Sequence, residues 1–247
     1  NEWVNILNSA FGWNKNKDAW CLTTSIYNSS WFNLTKIPEE VKYLNNLSSI
    51  TINRSNTLSD VTVLKNLPNL TSVTLNWNPN LTDVVINSPL LTSMILYSYW
   101  KIKNITLNNT EFMYTIDIAQ SDQTINLNLP KLKEVNNFWV HNFIWNFSTD
   151  PLFKISSPLL TKIAELDINS SNRIVDDYTD YSNFSNTTIT KKVIIWWDTN
   201  LNKQKLVTPI PLWSIFCNSV VWKIYFFNWV NNANTQTLLP NTTNVCW

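Results

Sequence analysis

The chain has 247 residues, 44% of them hydrophobic and only 14% charged, with a formal net charge of +1 at pH 7. Its basic residues are scattered, so no electrostatic footprint for nucleic acid forms, and no apolar run approaches the roughly 20 residues that a membrane span needs. One histidine and one glycine exclude multi-histidine metal sites and phosphate-cradling loops, so no metal and no cofactor are expected.

Residues 1–36 carry Trp3, Trp13, Trp20 and Trp31, with Cys21 beside the third. Trp3, Ile6, Leu7 and Ala10 recur at helical spacing, which predicts a short amphipathic helix. A segment of this size would cover the bare end of a repeat array, and its aromatics are assigned to the core of that cap.

One motif then recurs: LNNLSSITI at 44–52, LPNLTSVTL at 67–75, SPLLTSMIL at 88–96, LPKLKEVNN at 129–137 and SPLLTKIAELDI at 157–168. Apolar residues fall at i, i+3, i+6 and i+8, as in Leu67, Leu70, Val73 and Leu75. The last two share one face of a strand, while the three-residue steps suit a bend entering it. Pro68 to Pro89 is 21 residues, a weaker copy around Thr110, Phe112 and Thr115 follows 21 later, and Pro130 comes 20 after that. Such a period belongs to a solenoid, in which each turn buries its face against its neighbours. A second apolar set predicts the opposite wall: Leu81, Val84 and Ile86, then Ile102, Ile105 and Leu107, then Ile125 and Leu127.

Pro158 lies 28 residues after Pro130, so the register is expected to loosen beyond Val135. FWVHNFIWNFSTD, 138–150, is the expected protruding loop, with His141 an ordinary loop residue in it. Residues 172–188 are polar, acidic and aromatic, an irregular surface segment. KKVIIWWD, 191–198, predicts a strand, and VVWKIYFFNW alternates as a strand with both faces largely apolar.

LNNLSSITI and LPNLTSVTLNWN resemble leucine-rich repeats, and IPEEVKYLNNL, 37–47, resembles the first repeat after a leucine-rich N-terminal cap. The alternation of NLTDVVI, 80–86, with SPLLTSMIL resembles the receptor L domain. Period and resemblance together give a mainly β, leucine-rich-repeat-like solenoid of about six turns with a helix-containing N-terminal cap and a stranded C-terminal cap. It forms one continuous domain: cap at 1–36, solenoid at 37–171, irregular segment and C-terminal cap at 172–247. The asparagine that the family carries three places after the strand is met at Asn78 and replaced by Ser55, Tyr99 and Ser171. The family's cap cysteine commonly has a nearby partner; here no cysteine lies between Cys21 and Cys217.

Asparagine is the anomaly of the composition, at 39 residues. With almost no glycine, asparagine is the residue expected to supply left-handed backbone at the corners. Thirteen asparagines head an Asn-x-Ser/Thr sequon and are candidate N-glycan acceptors: Asn28, Asn33, Asn46, Asn53, Asn69, Asn80, Asn104, Asn108, Asn146, Asn169, Asn183, Asn186 and Asn241. Asn28, Asn53, Asn104, Asn146, Asn183 and Asn186 are preferred, each near an expected bend. Cys217 and Cys246 enclose a loop of about 30 residues in the C-terminal cap and are the expected disulfide. Cys21 is left over as a buried thiol or a bond to another chain.

Catalysis finds no constellation. Glu39, Glu40, Asp176, Asp177 and Asp180 could supply paired carboxylates, but nothing in their spacing selects them. The fourteen tryptophans do not line up as a stripe that would stack sugars, so burial accounts for them more simply. The chain starts at Asn1 and lacks a signal-peptide pattern, which fits a mature product whose targeting segment has gone. The expectation is a secreted, glycosylated, non-enzymatic structural protein of a cell surface, coat or extracellular filament. Its partners would be further copies or another extracellular protein. The alternative is a ligand-binding receptor ectodomain or adhesin of leucine-rich-repeat type.

Overall fold

The computed structural model describes residues 2–28, 34–97, 101–119, 125–142, 153–170, 187–196, 215–218, 223–228 and 237–241. The repeated motif becomes a stack of parallel strands: β1 (Ser25–Asn28), β2 (Ser49–Asn53), β3 (Ser72–Asn76), β5 (Ser93–Tyr97), β7 (Phe112–Ala119), β9 (Glu134–Asn142), β11 (Lys162–Ser170) and β12 (Thr188–Trp196). Ile26, Ile50, Val73, Met94, Ile116, Phe138 and Leu166 stand in register on neighbouring strands and form one inward column. The apolar residue two places on adds a second: Ile52 faces Leu75, and Leu96, Ile118 and Val140 continue further along.

The opposite wall is a four-stranded parallel sheet of β4 (Asp83–Ile86), β6 (Asn104–Leu107), β8 (Ile125–Asn128) and β10 (Phe153–Ser156). Val84, Ile105, Leu127 and Ile155 align there and are all buried, so the second apolar set marks the second wall. In the first turns this wall is made of single 3-10 turns, Glu39–Tyr43 and Thr62–Asn66, whose Val41, Val63 and Leu64 reach the same core. The result is a mainly β solenoid of about five turns with few helices. Burying each Leu, Ile or Val between the walls stabilises the fold by about 1.5–3 kcal/mol, and each such gain is shared only between adjacent turns.

Helix α1 (Glu2–Phe11) closes the first turn. Val4, Leu7 and Phe11 face the core, whereas Ile6 is exposed, so the buried stripe is rotated from the Trp3, Ile6, Leu7, Ala10 set that spacing favours. Trp3 and Ala10 are partly buried against the core edge. Helix α2 (Lys17–Cys21) is capped by Asn16, whose side chain accepts from the Ala19 N–H. It buries Trp20 completely, stacks it on Trp13 at 5.1 Å, and leaves the Lys15 ammonium 4.3 Å from the Trp13 ring. Trp20 is thus core and Trp3 and Trp13 pack partly buried against it, while Trp31 lies outside the described residues.

Two expectations fail for stated reasons. The β9–β11 pairing does not loosen beyond Val135, running from Glu134↔Lys162 to Asn142↔Ser170; the register shifts between Ile163 and Glu165 where β11 meets β12, and the additional length falls between β9 and β10. Phe138 and His141 therefore belong to a strand, because Phe138 and Val140 continue the inward alternation; residues 143–150 of the expected loop lie outside those described. Asparagine does not supply left-handed corners either. Among the described residues positive φ falls on Gly12, Arg54 and Trp77. After β12 come β13 (Ile215–Asn218), β14 (Lys223–Asn228) and β15 (Thr237–Asn241), with β13 parallel to β12 and the last two pairings antiparallel.

Candidate functional site

The polar residues of the solenoid go to its corners. Each corner turns the chain sharply into a strand, and the next turn adds side-chain donors to its main-chain carbonyls; Thr24 O, Ser48 O and Thr71 O also accept main-chain N–H groups from that turn, as Ser48 O does from Thr71 and Ser72. Asn46 Nδ2 donates to Cys21 O at 2.8 Å, and the equivalent Asn69 Nδ2 donates to Asn45 O at 2.9 Å. Two residues on, the Ser48, Thr71 and Thr92 hydroxyls donate to Thr24 O, Ser48 O and Thr71 O at 3.2, 3.0 and 3.2 Å. At the other corners Asn80 donates to Asn56 O, Asn87 to Lys65 O, Asn109 to Asn87 O and Thr110 to Ser88 O. An amide followed two places later by a hydroxyl is thus the corner chemistry itself. It writes the sequons Asn46-Leu-Ser48 and Asn69-Leu-Thr71 into the sequence whether or not a glycan is added.

The interior holds few polar side chains. Asn78 is fully buried; its Nδ2 donates to Ile52 O at 3.0 Å and its Oδ1 accepts from the Ser55 N–H at 3.1 Å. Ser55, at the equivalent position one turn earlier, donates to Leu34 O at 2.9 Å.

Outside, the large sheet presents rows in register. Ser25, Ser49, Ser72 and Ser93 form one, and Tyr27, Thr51, Thr74 and Ile95 the next. The strand positions continue at Asp117 and Trp139. Across β1 to β5 this face carries no charged side chain. Asp117, at the same level on β7, is 4% exposed and accepts from the Tyr97 hydroxyl at 2.5 Å. Burial, reinforced by that bond and by the neighbouring carboxylate, pushes the Tyr97 phenol far above its usual value.

Two further acids serve corners. Asp60 accepts from both the hydroxyl and the N–H of Thr62, which hold its pKa below the ordinary carboxylate value, with Lys36 and Lys65 adding to the effect. Asp83 is lowered by the Thr82 hydroxyl and then by Asn104. Asn104 in turn accepts from Asn126 at 2.9 Å, so Asp83, Asn104 and Asn126 make a polar ladder over the small sheet. Glu111 is lowered by Lys133, and Lys162 pairs with Glu134 at 3.0 Å; both pairs are exposed. Among the described residues no group of three His, Cys, Asp or Glu side chains could hold a metal ion.

The structure spreads the sequence-derived candidates rather than gathering them. Asn46, Asn69 and Asn104 are exposed, Asn80 and Asn108 half-buried, and Asn53 closes β2 with its Oδ1 buried. Asn28, a preferred acceptor, closes β1 with its side chain buried at 5% exposure. Asn169 and Asn241 lie on β11 and β15, while Asn33, Asn146, Asn183 and Asn186 are outside the described residues. Glu39 is exposed and Glu40 half-buried on the 3-10 turn; Asp176, Asp177 and Asp180 are not described. Cys217 sits on β13, Cys246 lies outside the described residues, and Cys21 is a free, half-exposed thiol. Sequence reasoning missed the Tyr97–Asp117 bond, which stacking the 88–96 and 110–119 copies in register would have exposed.

No described helix is long and apolar enough to cross a membrane. What fold and site define together is a parallel β-solenoid whose polar side chains bind one turn to the next. No family model, no curated protein and no solved structure matches the chain.

Proposed function

We propose that this chain is a secreted, glycosylated, non-enzymatic structural protein of a cell surface, coat or extracellular filament, assembled through protein–protein contacts. The observation that carries the reading is the use made of its polar residues. Amides and hydroxyls at successive corners are bonded to the main chain of the preceding turn, from Asn46 and Ser48 to Thr161 and Thr187. Side chains held this way stiffen a scaffold; they are not free to bind and transform a substrate. An uncharged outer face over β1 to β5 adds a surface that meets another protein without desolvating an ion.

Electron microscopy of the native material tests the reading. Ordered assemblies with the solenoid as their repeating unit are expected. Discrete monomers that bind a separate ligand through the face of the large sheet would reject it in favour of the leucine-rich-repeat type ectodomain or adhesin. Intact-glycopeptide mass spectrometry tests the glycans, which are expected on exposed acceptors such as Asn46, Asn69 and Asn104. Wholly bare sequons in naturally produced protein would reject glycosylation and with it the argument for secretion.

A further inference from the structure

The two left-handed corners outside the cap fall at equivalent places. Arg54 follows β2 and Trp77 follows β3; Asn53 pairs with Asn76, and the Arg54 and Trp77 N–H groups donate to Asn76 O and Tyr97 O, each on the next turn. Their φ angles are 61° and 60°, a region that strains any residue with a Cβ and that glycine or asparagine occupies most readily. The chain has 39 asparagines, with Asn53, Asn76 and Asn78 beside these very positions, yet it seats arginine and tryptophan there. Arg54 is moreover one of two arginines among 18 basic residues. Strain kept on two adjacent turns implies that the side chains themselves are needed. Both are exposed, Trp77 at 47%, and Arg54 pairs with no carboxylate among the described residues.

We propose that Arg54 and Trp77 form a binding site for an acidic saccharide, one whose pyranose ring bears a carboxylate. An exposed indole offers a flat apolar platform for the C–H face of a sugar ring. One strand spacing along the stack, about 4.8 Å, the guanidinium presents a fork of donors that matches the ring's exocyclic carboxylate. Asn76, just before Trp77, spends its Oδ1 on the Tyr97 N–H at 3.3 Å and donates its Nδ2 to no described residue, which leaves a donor for a sugar hydroxyl. The surroundings select a sugar over a protein. A protein-contact hot spot lies in a well-packed centre that excludes water, whereas this pair is flanked by the amides of half-buried Asn53 and Asn76 and of exposed Asn56.

A ligand held by one ring and one ion pair binds weakly, at about 1 mM, so titration of the whole chain with a short oligogalacturonate is followed by nuclear magnetic resonance to about 10 mM. Protein free of N-glycans is used, because Asn53 heads a sequon. Shifts are expected at the amides of 53–55 and 76–77 and at the Trp77 indole N–H, with a neutral oligosaccharide of equal length binding about tenfold more weakly or not at all. Trp77→Asn and Arg54→Asn each relieve the backbone, so each is expected to raise the melting temperature while weakening binding about tenfold. Undiminished binding in both folded variants overturns the site, as does a wild-type chain that binds nothing by the end of the titration. A neutral oligosaccharide bound equally well overturns the acidic ligand, and a melting temperature lowered in both variants overturns the strain argument. Should the variants fail to fold, shifts confined to other residues of the wild-type chain overturn the site on their own. The assembly reading stands or falls separately, by microscopy.

Discussion

Asn78→Ala is the sharpest probe of how turn is joined to turn. The side chain is fully buried and satisfies two main-chain groups of the preceding turn, Ile52 O at 3.0 Å and Ser55 N–H at 3.1 Å. Alanine takes the amide acceptor from the buried Ser55 N–H and the second donor from Ile52 O, which keeps its place in the ladder between β2 and β3, so a loss of about 2 kcal/mol is expected. Urea unfolding followed by tryptophan fluorescence measures it; with a slope near 3 kcal/mol per molar, the midpoint should fall by about 0.7 M. Asn69→Ala is the matched control, since it removes one bond at an exposed corner where water replaces the amide, for a loss of about 0.5 kcal/mol. Asn78→Ser should fall between them, as the shorter side chain keeps a polar group at the site but loses the amide's reach. Equal midpoints for Asn78→Ala and Asn69→Ala would refute the claim that the buried amide bridges adjacent turns.

Thr71→Val removes the hydroxyl bonded to Ser48 O while keeping the side chain's shape, and should cost about 1 kcal/mol in the same unfolding assay. Tyr97→Phe takes from buried Asp117 its phenol donor and should cost about 1–3 kcal/mol, read as a lower melting temperature at neutral pH. Asp60 and Asp83 have folded pKa values below their unfolded ones, so their contribution is complete above the ordinary carboxylate value, about pH 4, and is lost as pH falls through the lowered values. Melting temperature should therefore decline below about pH 4, and less steeply in the Asp60→Asn, Asp83→Asn double variant. Exposed Lys133–Glu111 and Lys162–Glu134 should contribute little, so 0.5 M salt should barely move the neutral-pH midpoint.

Both walls were legible in the sequence because burial writes itself into apolar spacing: Val73 and Leu75 mark one wall, Val84 and Ile86 the other, and all four are buried. The role of asparagine was not legible. Composition tells that amides are abundant, but not whether an amide bends its own backbone or reaches the carbonyl of a neighbour some twenty residues away, as Asn69 does to Asn45. The 138–150 stretch misleads because the 28-residue step from Pro130 to Pro158 points to a loop there, whereas pairing with β7 and β11 draws Phe138 and Val140 into the ladder. The candidate surfaces were hidden for the same reason. Tyr97 and Asp117 meet only once two strands are in register.

The backward reach of each corner donor makes the molecule a ruler. Excising residues 71–91 would splice Leu70 to Thr92, and Asn69-Leu70-Thr92-Ser93 keeps the order of amide, apolar residue and hydroxyl found at the corners of 46–48 and 69–71. One strand would leave each wall together, and the Thr92 hydroxyl would inherit the carbonyl of Ser48 that Thr71 holds. The solenoid would shorten by one strand spacing, about 4.8 Å, with the helical end and the terminal hairpin left as they are. Thickness in such a molecule changes by whole rungs, so duplication or loss of a twenty-one-residue unit resizes it without redesigning either end.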